Sequence, residues 1–226
     1  MPLPAPDVTC LFTAGSSYDC GRGMTATVTA LPEAALSLPS GQVAACDPFI
    51  ELGRDVEPFT AEVDPGTYPV ALAVVEVTRA DTPEFRDERV AAAWLRVSDQ
   101  PTVEWTLALS GGQAAEDLDD TEFFGYGVDA GTGCFVDAAV TIPLGDLLGE
   151  DGDLLVEALF GDANSMTLTP VVLADPETSH NFVAFPSGWG DGCYPTWVGR
   201  SAGGEVTGFV TEFFVVPQPG RGAADS

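Results

Sequence analysis

Two glycine-rich segments contain the residues whose types and spacing are best suited to chemistry. Residues 125–137 read GYGVDAGTGCFVD, and residues 188–194 read GWGDGCY. In the second segment glycine occupies the alternate positions 188, 190 and 192, so an extended backbone here would have one bare face that a ligand, a metal or another strand could approach closely. If the two segments meet in the fold, the carboxylates of Asp129, Asp137 and Asp191 converge.

Converging carboxylates would suit a hard divalent cation, which prefers oxygen ligands, and the hydroxyl of Thr132 could add a further donor. The spacing does not fit an EF-hand loop. Gly131 and Gly133 occupy the third and fifth positions counted from Asp129, where that loop needs oxygen ligands. The alternative is that Asp129 and Asp191 accept backbone N–H bonds within their own glycine turns, as aspartate commonly does.

We therefore predict one ligand-binding site, formed by both segments at the same end of the fold. Its nine residues are Asp129, Gly131, Thr132, Gly133, Asp137, Ser187, Trp189, Asp191 and Tyr194. In the metal-binding alternative, the three aspartates of this set are the ligands of a divalent cation.

Patterns typical of catalysis are weak, and we predict no catalytic residue. Residues 125–130 match the G-x-G-x-x-A form of the dinucleotide fingerprint, but an acidic loop precedes them and further glycines follow, which opposes the required strand and helix. The single histidine, His180, could serve as a base for Ser187, Cys134 or Cys193, but no nucleophile-elbow pattern surrounds any of these three, and His180 is expected to be a surface residue. Paired carboxylates beside Trp189 and Trp197 could hydrolyse glycosides, but that chemistry depends on a carboxylate separation that sequence does not give.

The charge of the chain restricts its partners. Eight basic residues, all arginine, face 35 acidic ones, which gives a formal net charge of −27. Such a chain repels phosphate backbones and anionic lipid, so we expect no nucleic acid and no membrane as partners. A basic protein, a cationic ligand or a metal ion would be attracted.

Two functional hypotheses follow from these residues. The first is a non-enzymatic binding or interaction module, similar to an immunity or adaptor protein, whose acidic face captures a basic partner. The alternative is a divalent-metal-dependent hydrolase, or a metal-stabilised ligand-binding domain, that uses Asp129, Asp137 and Asp191.

The lack of a recognisable targeting signal and the pattern of cysteines predict a cytoplasmic protein. The N-terminal residues MPLPAPDVTC lack the basic start and the apolar run of a signal peptide, and no segment approaches the roughly 20 apolar residues that span a bilayer. The five cysteines are odd in number and contain no Cys-x-x-Cys pair. We expect them to be reduced and mostly buried.

Short apolar runs bounded by Gly, Pro or Asp predict a mainly β fold of two packed, antiparallel-rich sheets resembling a sandwich, with an α+β arrangement as the alternative. One or two short helices are expected, within residues 85–93 and 136–148, although the alanine-rich part of the first segment could equally continue as strand. Residues 1–216 should form a single β-rich domain, followed by a disordered tail over residues 217–226. The predicted strands are residues 8–13, 24–30, 42–46, 68–77, 90–97, 103–109, 154–160, 168–173, 181–185 and 206–216.

Five motifs fall in one order along the chain. They are DPGTYPV (64–70), RVAAAWLRV (89–97), GYGVDAGTGCFVD (125–137), NFVAFPSGWGDGCYPTWVGR (181–200) and GEVTGFVTEFFVV (204–216). Together they resemble the bacterial family catalogued as domain of unknown function 4241, over nearly the whole chain. The resemblance implies a single domain and brings no established activity.

Overall fold

A computed structural model describes residues 2–149, 152–161 and 166–221 of the chain. Most of the regular structure in these ranges is β-strand. The strands are β1 Ser17–Gly21, β2 Met24–Ala30, β3 Glu33–Leu38, β4 Val43–Cys46, β5 Gly66–Arg79, β6 Thr82–Arg96, β7 Glu104–Leu107, β8 Gly125–Val128, β9 Thr132–Asp137, β10 Val171–Ala174, β11 Asn181–Pro186, β12 Gly192–Arg200 and β13 Val206–Glu212. The α-helices are α1 Val8–Leu11, α2 Pro48–Glu51, α3 Thr141–Gly145 and α4 Asp153–Phe160, with 3₁₀ turns at Ala115–Asp117, Ala138–Val140 and Asp146–Leu148.

The larger sheet curls into a half-barrel with the strand order β1-β2-β5-β6-β13-β12-β7. Two further strands extend it: β3 pairs with β5 beside β2, and β8 pairs with β12 beside β7. The long β5 and β6 form a hairpin at its centre. All pairings are antiparallel, as the sequence predicted.

The smaller sheet has the order β10-β11-β9-β4 and lies between the larger sheet and a layer of short helices. Every residue of β9 and of β11 is buried. Because side chains alternate along a strand, Phe135 of β9 packs into the core shared with the larger sheet, while Cys134 and Val136 face Leu144 and Leu155 of the helical layer. Burial on both faces explains why these strands are apolar almost throughout.

The predicted fold class is confirmed: the chain is mainly β, with two antiparallel sheets and few short helices. The helix predicted within residues 136–148 is present as α3 and its flanking 3₁₀ turns. The helix predicted within residues 85–93 is wrong, since these residues belong to β6 and pair with β5. Cross-strand pairing prevails there over the weak local helix signal.

Two predicted strands are helices. Residues 8–11 of the first form α1, whose start is capped by Asp7 accepting a hydrogen bond from the backbone N–H of Cys10. Residues 154–160 belong to α4, which buries Leu155 and Leu159, four positions apart, on one face. A short apolar run fits a strand and a buried helix equally well, so the sequence alone could not separate them.

The C-terminal segment contacts the N-terminal one. Gln218 is buried, and its side-chain oxygen accepts a hydrogen bond from the backbone N–H of Asp7 at 2.8 Å. Arg221 forms an ion pair with Glu212 and donates to the carbonyl of Pro4. Residues 217–221 of the predicted tail are therefore held against the sheets, whereas residues 222–226 lie outside the described residues. None of the helices in the described ranges is long and apolar enough to cross a membrane.

Candidate functional site

The two glycine-rich segments meet because of how the sheets connect. The loop at 129–131 joins β8 to β9, and the loop at 187–191 joins β11 to β12. Since β8 pairs with β12 and β9 pairs with β11, both loops cross from one sheet to the other side by side. The backbone N–H of Gly131 donates to Asp191 Oδ1 at 3.0 Å, and the N–H of Ser187 donates to the carbonyl of Gly131 at 3.0 Å.

The loop at 187–191 is shaped by its own side chains. Ser187 is buried, and its hydroxyl donates to the carbonyl of Gly190 at 2.8 Å. The Tyr194 hydroxyl lies 2.7 Å from that same carbonyl oxygen and 3.0 Å from the carbonyl oxygen of Ser187. At Gly188 the backbone has a φ of +62°, and a Cβ there would lie 2.7 Å from Cβ of Phe213. Glycine is thus required here for close contact with the core.

The loop at 129–131 is held by Asp47, a residue that lies outside both glycine-rich segments. Its buried Oδ2 accepts from the backbone N–H groups of Asp129 at 2.9 Å and Ala130 at 3.1 Å, while Oδ1 accepts from the N–H of Phe49. The Asp-Pro pair at 47–48 is a helix-start signal that predicts the cap of α2. The hydrogen bonds from Asp129 and Ala130 to Asp47 join distant parts of the chain, so no pattern in the neighbouring sequence predicts them.

Thr132 and Gly133 belong to the packed start of β9. The Thr132 hydroxyl is buried and donates to the carbonyl of Ala130 at 3.2 Å. A Cβ on Gly133 would lie 2.7 Å from the Tyr126 hydroxyl, so only glycine fits below this ring without displacement. Both residues therefore support the loop at 129–131 by packing and are not exposed to a ligand.

Asp137 lies at the opposite end of β9 and is fully buried. Its carboxylate accepts hydrogen bonds from the N–H and the hydroxyl of Ser40, from the N–H of Gly41 and from the N–H of Ala139. This carboxylate fixes the turn between β3 and β4, where backbone donors would otherwise be unsatisfied.

The predicted convergence of three aspartates is therefore not seen. Asp191 bonds to the amide of Gly131, Asp129 faces solvent, and Asp137 is separated from both by the length of β9. Within the described ranges, no group of three or more His, Cys, Asp or Glu residues is arranged to hold a metal ion.

Trp189 projects from the tip of the loop at 187–191 and is 56% exposed. Its ring lies 5.0 Å from the guanidinium carbon of Arg89, which is itself paired with Asp87. The tryptophan thus rests against the outer surface of β6.

A cleft of about 470 Å³ opens beside the loop at 129–131, between the edges of β4 and β8. Four carboxylates line it, from Glu51, Asp55, Glu57 and Asp129, and no arginine or histidine does. None of these four side chains forms an ion pair or a hydrogen bond within the part of the chain that the structure describes. We call this feature the acidic cleft; its lining residues are Ala45, Cys46, Ile50, Glu51, Asp55, Val56, Glu57, Ser110, Tyr126, Gly127, Val128, Asp129 and Gly192.

The acidic cleft shares Ala45, Glu57, Ser110 and Tyr126 with a smaller cavity of about 60 Å³, which we call the inner chamber. Thr196 lines the inner chamber and is 2% exposed, and its hydroxyl has no hydrogen-bond partner among the described residues. A buried, unpartnered hydroxyl costs roughly 1–3 kcal/mol.

The inner chamber is uncharged apart from Glu57. Burial raises the pKa of Tyr126 well above its ordinary value, so its phenol stays neutral, and it accepts a hydrogen bond from Thr211 at 3.2 Å. Glu57 lines both cavities and, among the described residues, is the one charged residue in the lining of the inner chamber.

Of the nine residues of the predicted ligand-binding site, Asp129 alone is in the lining of the acidic cleft. The other three carboxylates come from the segment after β4, residues 51–57, which reads ELGRDVE. Three acids within seven residues were a usable signal, but the segment lies far along the chain from both glycine-rich motifs.

Fold and site together define a mainly β protein in which an acidic cleft opens where two antiparallel sheets adjoin. The model of the family described as protein of unknown function (DUF4241) matches residues 36–211. The chain therefore belongs to that family, which confirms the predicted resemblance. The matched range includes the smaller sheet, the larger sheet apart from β1, β2 and the start of β3, both glycine-rich loops and the acidic cleft. No curated protein and no solved structure matches the chain.

Proposed function

We propose that this protein is a binding module whose acidic cleft takes an extended, lysine-containing segment of a basic partner protein. The observation that carries the proposal is the set of four unpaired carboxylates around one cleft with no basic residue in its lining. Carboxylates left without partners in the free protein favour a ligand that supplies the missing positive charges.

Shape and polarity support a peptide over a bare ion. The walls of the acidic cleft include the apolar side chains of Ile50, Val56 and Val128, and Ile50 is 40% exposed. Lysine side chains carry aliphatic stems that pack on apolar surface while their ammonium groups reach carboxylates. A cleft that alternates apolar and acidic groups is therefore complementary to such residues.

The backbone beside the cleft supports an extended ligand. Within the described residues, β8 pairs with β12 and with no second strand, and β4 pairs with β9, while the Val43 carbonyl at the start of β4 accepts from the N–H of Phe59. An extended segment can add to an open strand edge through main-chain hydrogen bonds while alternate side chains enter pockets.

The inner chamber favours lysine over arginine. Its volume of about 60 Å³ is small beside the 470 Å³ of the acidic cleft. A terminal ammonium with its adjoining methylene has two heavy atoms, whereas a guanidinium has four. An ammonium in the inner chamber can donate to the unpartnered hydroxyl of Thr196.

The test is binding of a short fluorescent peptide of alternating Lys and Val, measured by anisotropy at low and physiological salt. Asp55→Asn combined with Glu57→Gln should weaken binding about tenfold, since two ion pairs are lost. The matched control, Glu84→Gln with Asp99→Asn, removes the same charge from exposed positions outside the acidic cleft. If both double variants lose the same affinity for the peptide, binding depends only on the net charge of the protein, which contradicts the proposal.

A second experiment tests the preference of the inner chamber for lysine. Thr196→Val removes the unpartnered hydroxyl with little change of shape and should weaken binding of the Lys peptide about threefold to tenfold. An Arg-Val peptide should be unaffected by this substitution. If Thr196→Val weakens the binding of both peptides equally, the inner chamber does not distinguish an ammonium group from a guanidinium group.

A further inference from the structure

Two cysteines that are far apart in sequence lie side by side in the smaller sheet. Cys46 ends β4 and Cys134 lies in β9, and the two are direct partners in the antiparallel register. Their sulfur atoms are 3.5 Å apart, and both residues are buried. The prediction that the cysteines are mostly buried holds only for this pair, because Cys10 and Cys193 are exposed and Cys20 is half-buried.

The geometry of the pair suits a disulfide. Directly opposed residues of an antiparallel pair have Cα atoms about 4.5–5.5 Å apart, which falls inside the range of roughly 4.4–6.8 Å found across disulfides. The sulfur atoms must approach from 3.5 Å to about 2.05 Å. Small side-chain rotations achieve this, so the backbone of the two strands can stay in register.

Both thiols belong to the buried cluster on the helical side of the smaller sheet, and Cys46 also lines the acidic cleft. Cys134 packs within the core on the helical side of the sheet, and burial raises the pKa of its thiol well above the ordinary value. A thiol in this state is a poor first nucleophile but can serve as the second, because its partner is already in contact.

We propose that Cys46 and Cys134 form a redox site that closes to a reversible disulfide when a hydroperoxide enters the acidic cleft. The Cys46 thiolate attacks the peroxide, forms a sulfenic acid and releases water. The Cys134 thiol then attacks that sulfur, the S–O bond breaks, and a second water leaves. In sum, two thiols lose two electrons and two protons, and one hydrogen peroxide becomes two water molecules.

The disulfide would join two neighbouring walls of the site. Asp47, the next residue after Cys46, holds the backbone of Asp129 and Ala130 at the cleft rim. Linking β4 to β9 covalently therefore ties this rim to the centre of the smaller sheet. The proposal does not depend on what the acidic cleft binds.

The experiment uses the full chain with Cys10→Ser, Cys20→Ser and Cys193→Ser, which leaves only the proposed pair. After hydrogen peroxide treatment of the folded protein, thiols titrated in denaturant should fall from two per chain to nearly none. Intact mass should fall by two hydrogens, and a reductant should restore both values. The oxidised form should melt roughly 5–15 °C higher, because the bond closes a long loop in the unfolded chain.

The matched control adds Cys134→Ser, so that Cys46 alone remains and can gain oxygen but cannot lose two hydrogens within one chain. Oxidation of the pair only after unfolding, or a mass gain of oxygen in place of the hydrogen loss, would overturn the proposal. If the serine variants fail to fold, the wild-type chain decides the matter. Peroxide must then yield a linked pair of peptides that contain residues 46 and 134, reducible to its two members, and its absence would overturn the proposal.

Discussion

The carboxylates of this protein form two contrasting groups. Asp137 is buried and accepts four hydrogen bonds, and Glu212 is buried against Arg221. By contrast, Asp55 and Glu57 in the acidic cleft are exposed and have no partner within the described residues. The first group is bonded within the fold, whereas the second is available to a ligand. The number of partners, more than the residue type, separates a structural acid from a candidate binding acid.

The largest effect in this comparison is expected for Asp137→Ala. Four donors lose their acceptor in a buried site, which should lower the free energy of unfolding by about 3–5 kcal/mol. Urea unfolding followed by far-UV circular dichroism measures it. Glu57→Gln is the contrasting variant and should change stability by less than about 0.5 kcal/mol. Similar losses in both variants would remove the distinction between the two groups of acids.

The second effect concerns Glu212, whose pKa burial raises from 4.5 to about 7, although Arg221 opposes this rise. A carboxyl whose pKa is higher in the folded state contributes stability that is fully present below pH 4.5 and is lost as the pH rises through about 7. The loss amounts to roughly 3 kcal/mol at neutral pH.

Glu212→Gln isolates this contribution. The variant cannot ionise at this position, so its stability should fall less steeply between pH 4.5 and about 7 than that of the wild type. The free energy of unfolding measured across that range compares the two proteins, while the repulsion among the remaining acids acts on both. Parallel profiles would show that Glu212 ionises in the fold as it does in water.

The smallest effect is expected for Asp191, which lies between the two groups because it is exposed and yet bonded to Gly131. Asp191→Ala should cost about 1 kcal/mol of stability by freeing that amide. Asp191→Asn keeps an acceptor oxygen and should cost less than half as much. Equal losses in the two variants would assign the effect to the charge of the carboxylate and not to the hydrogen bond between the loops.

Much of the architecture could be predicted because local patterns and burial agree. Residues 24–30 were predicted as a strand and form β2 with the same bounds, and 181–185 was predicted within one residue of β11. The segment 154–160 was predicted wrongly, since its apolar run suits either a strand or a buried helix, and contact with the smaller sheet decides for α4.

The sequence by itself determined the family, the mainly β character and the excess of acids, because each follows from the order and composition of residues. Only the tertiary structure decided which acids are free, and that Cys46 and Cys134 touch although 88 positions separate them. The physical reason is that a carboxylate or a thiol acquires its role from the donors, charges and cavities around it. Those neighbours come from distant parts of the chain, brought together by the pairing of strands.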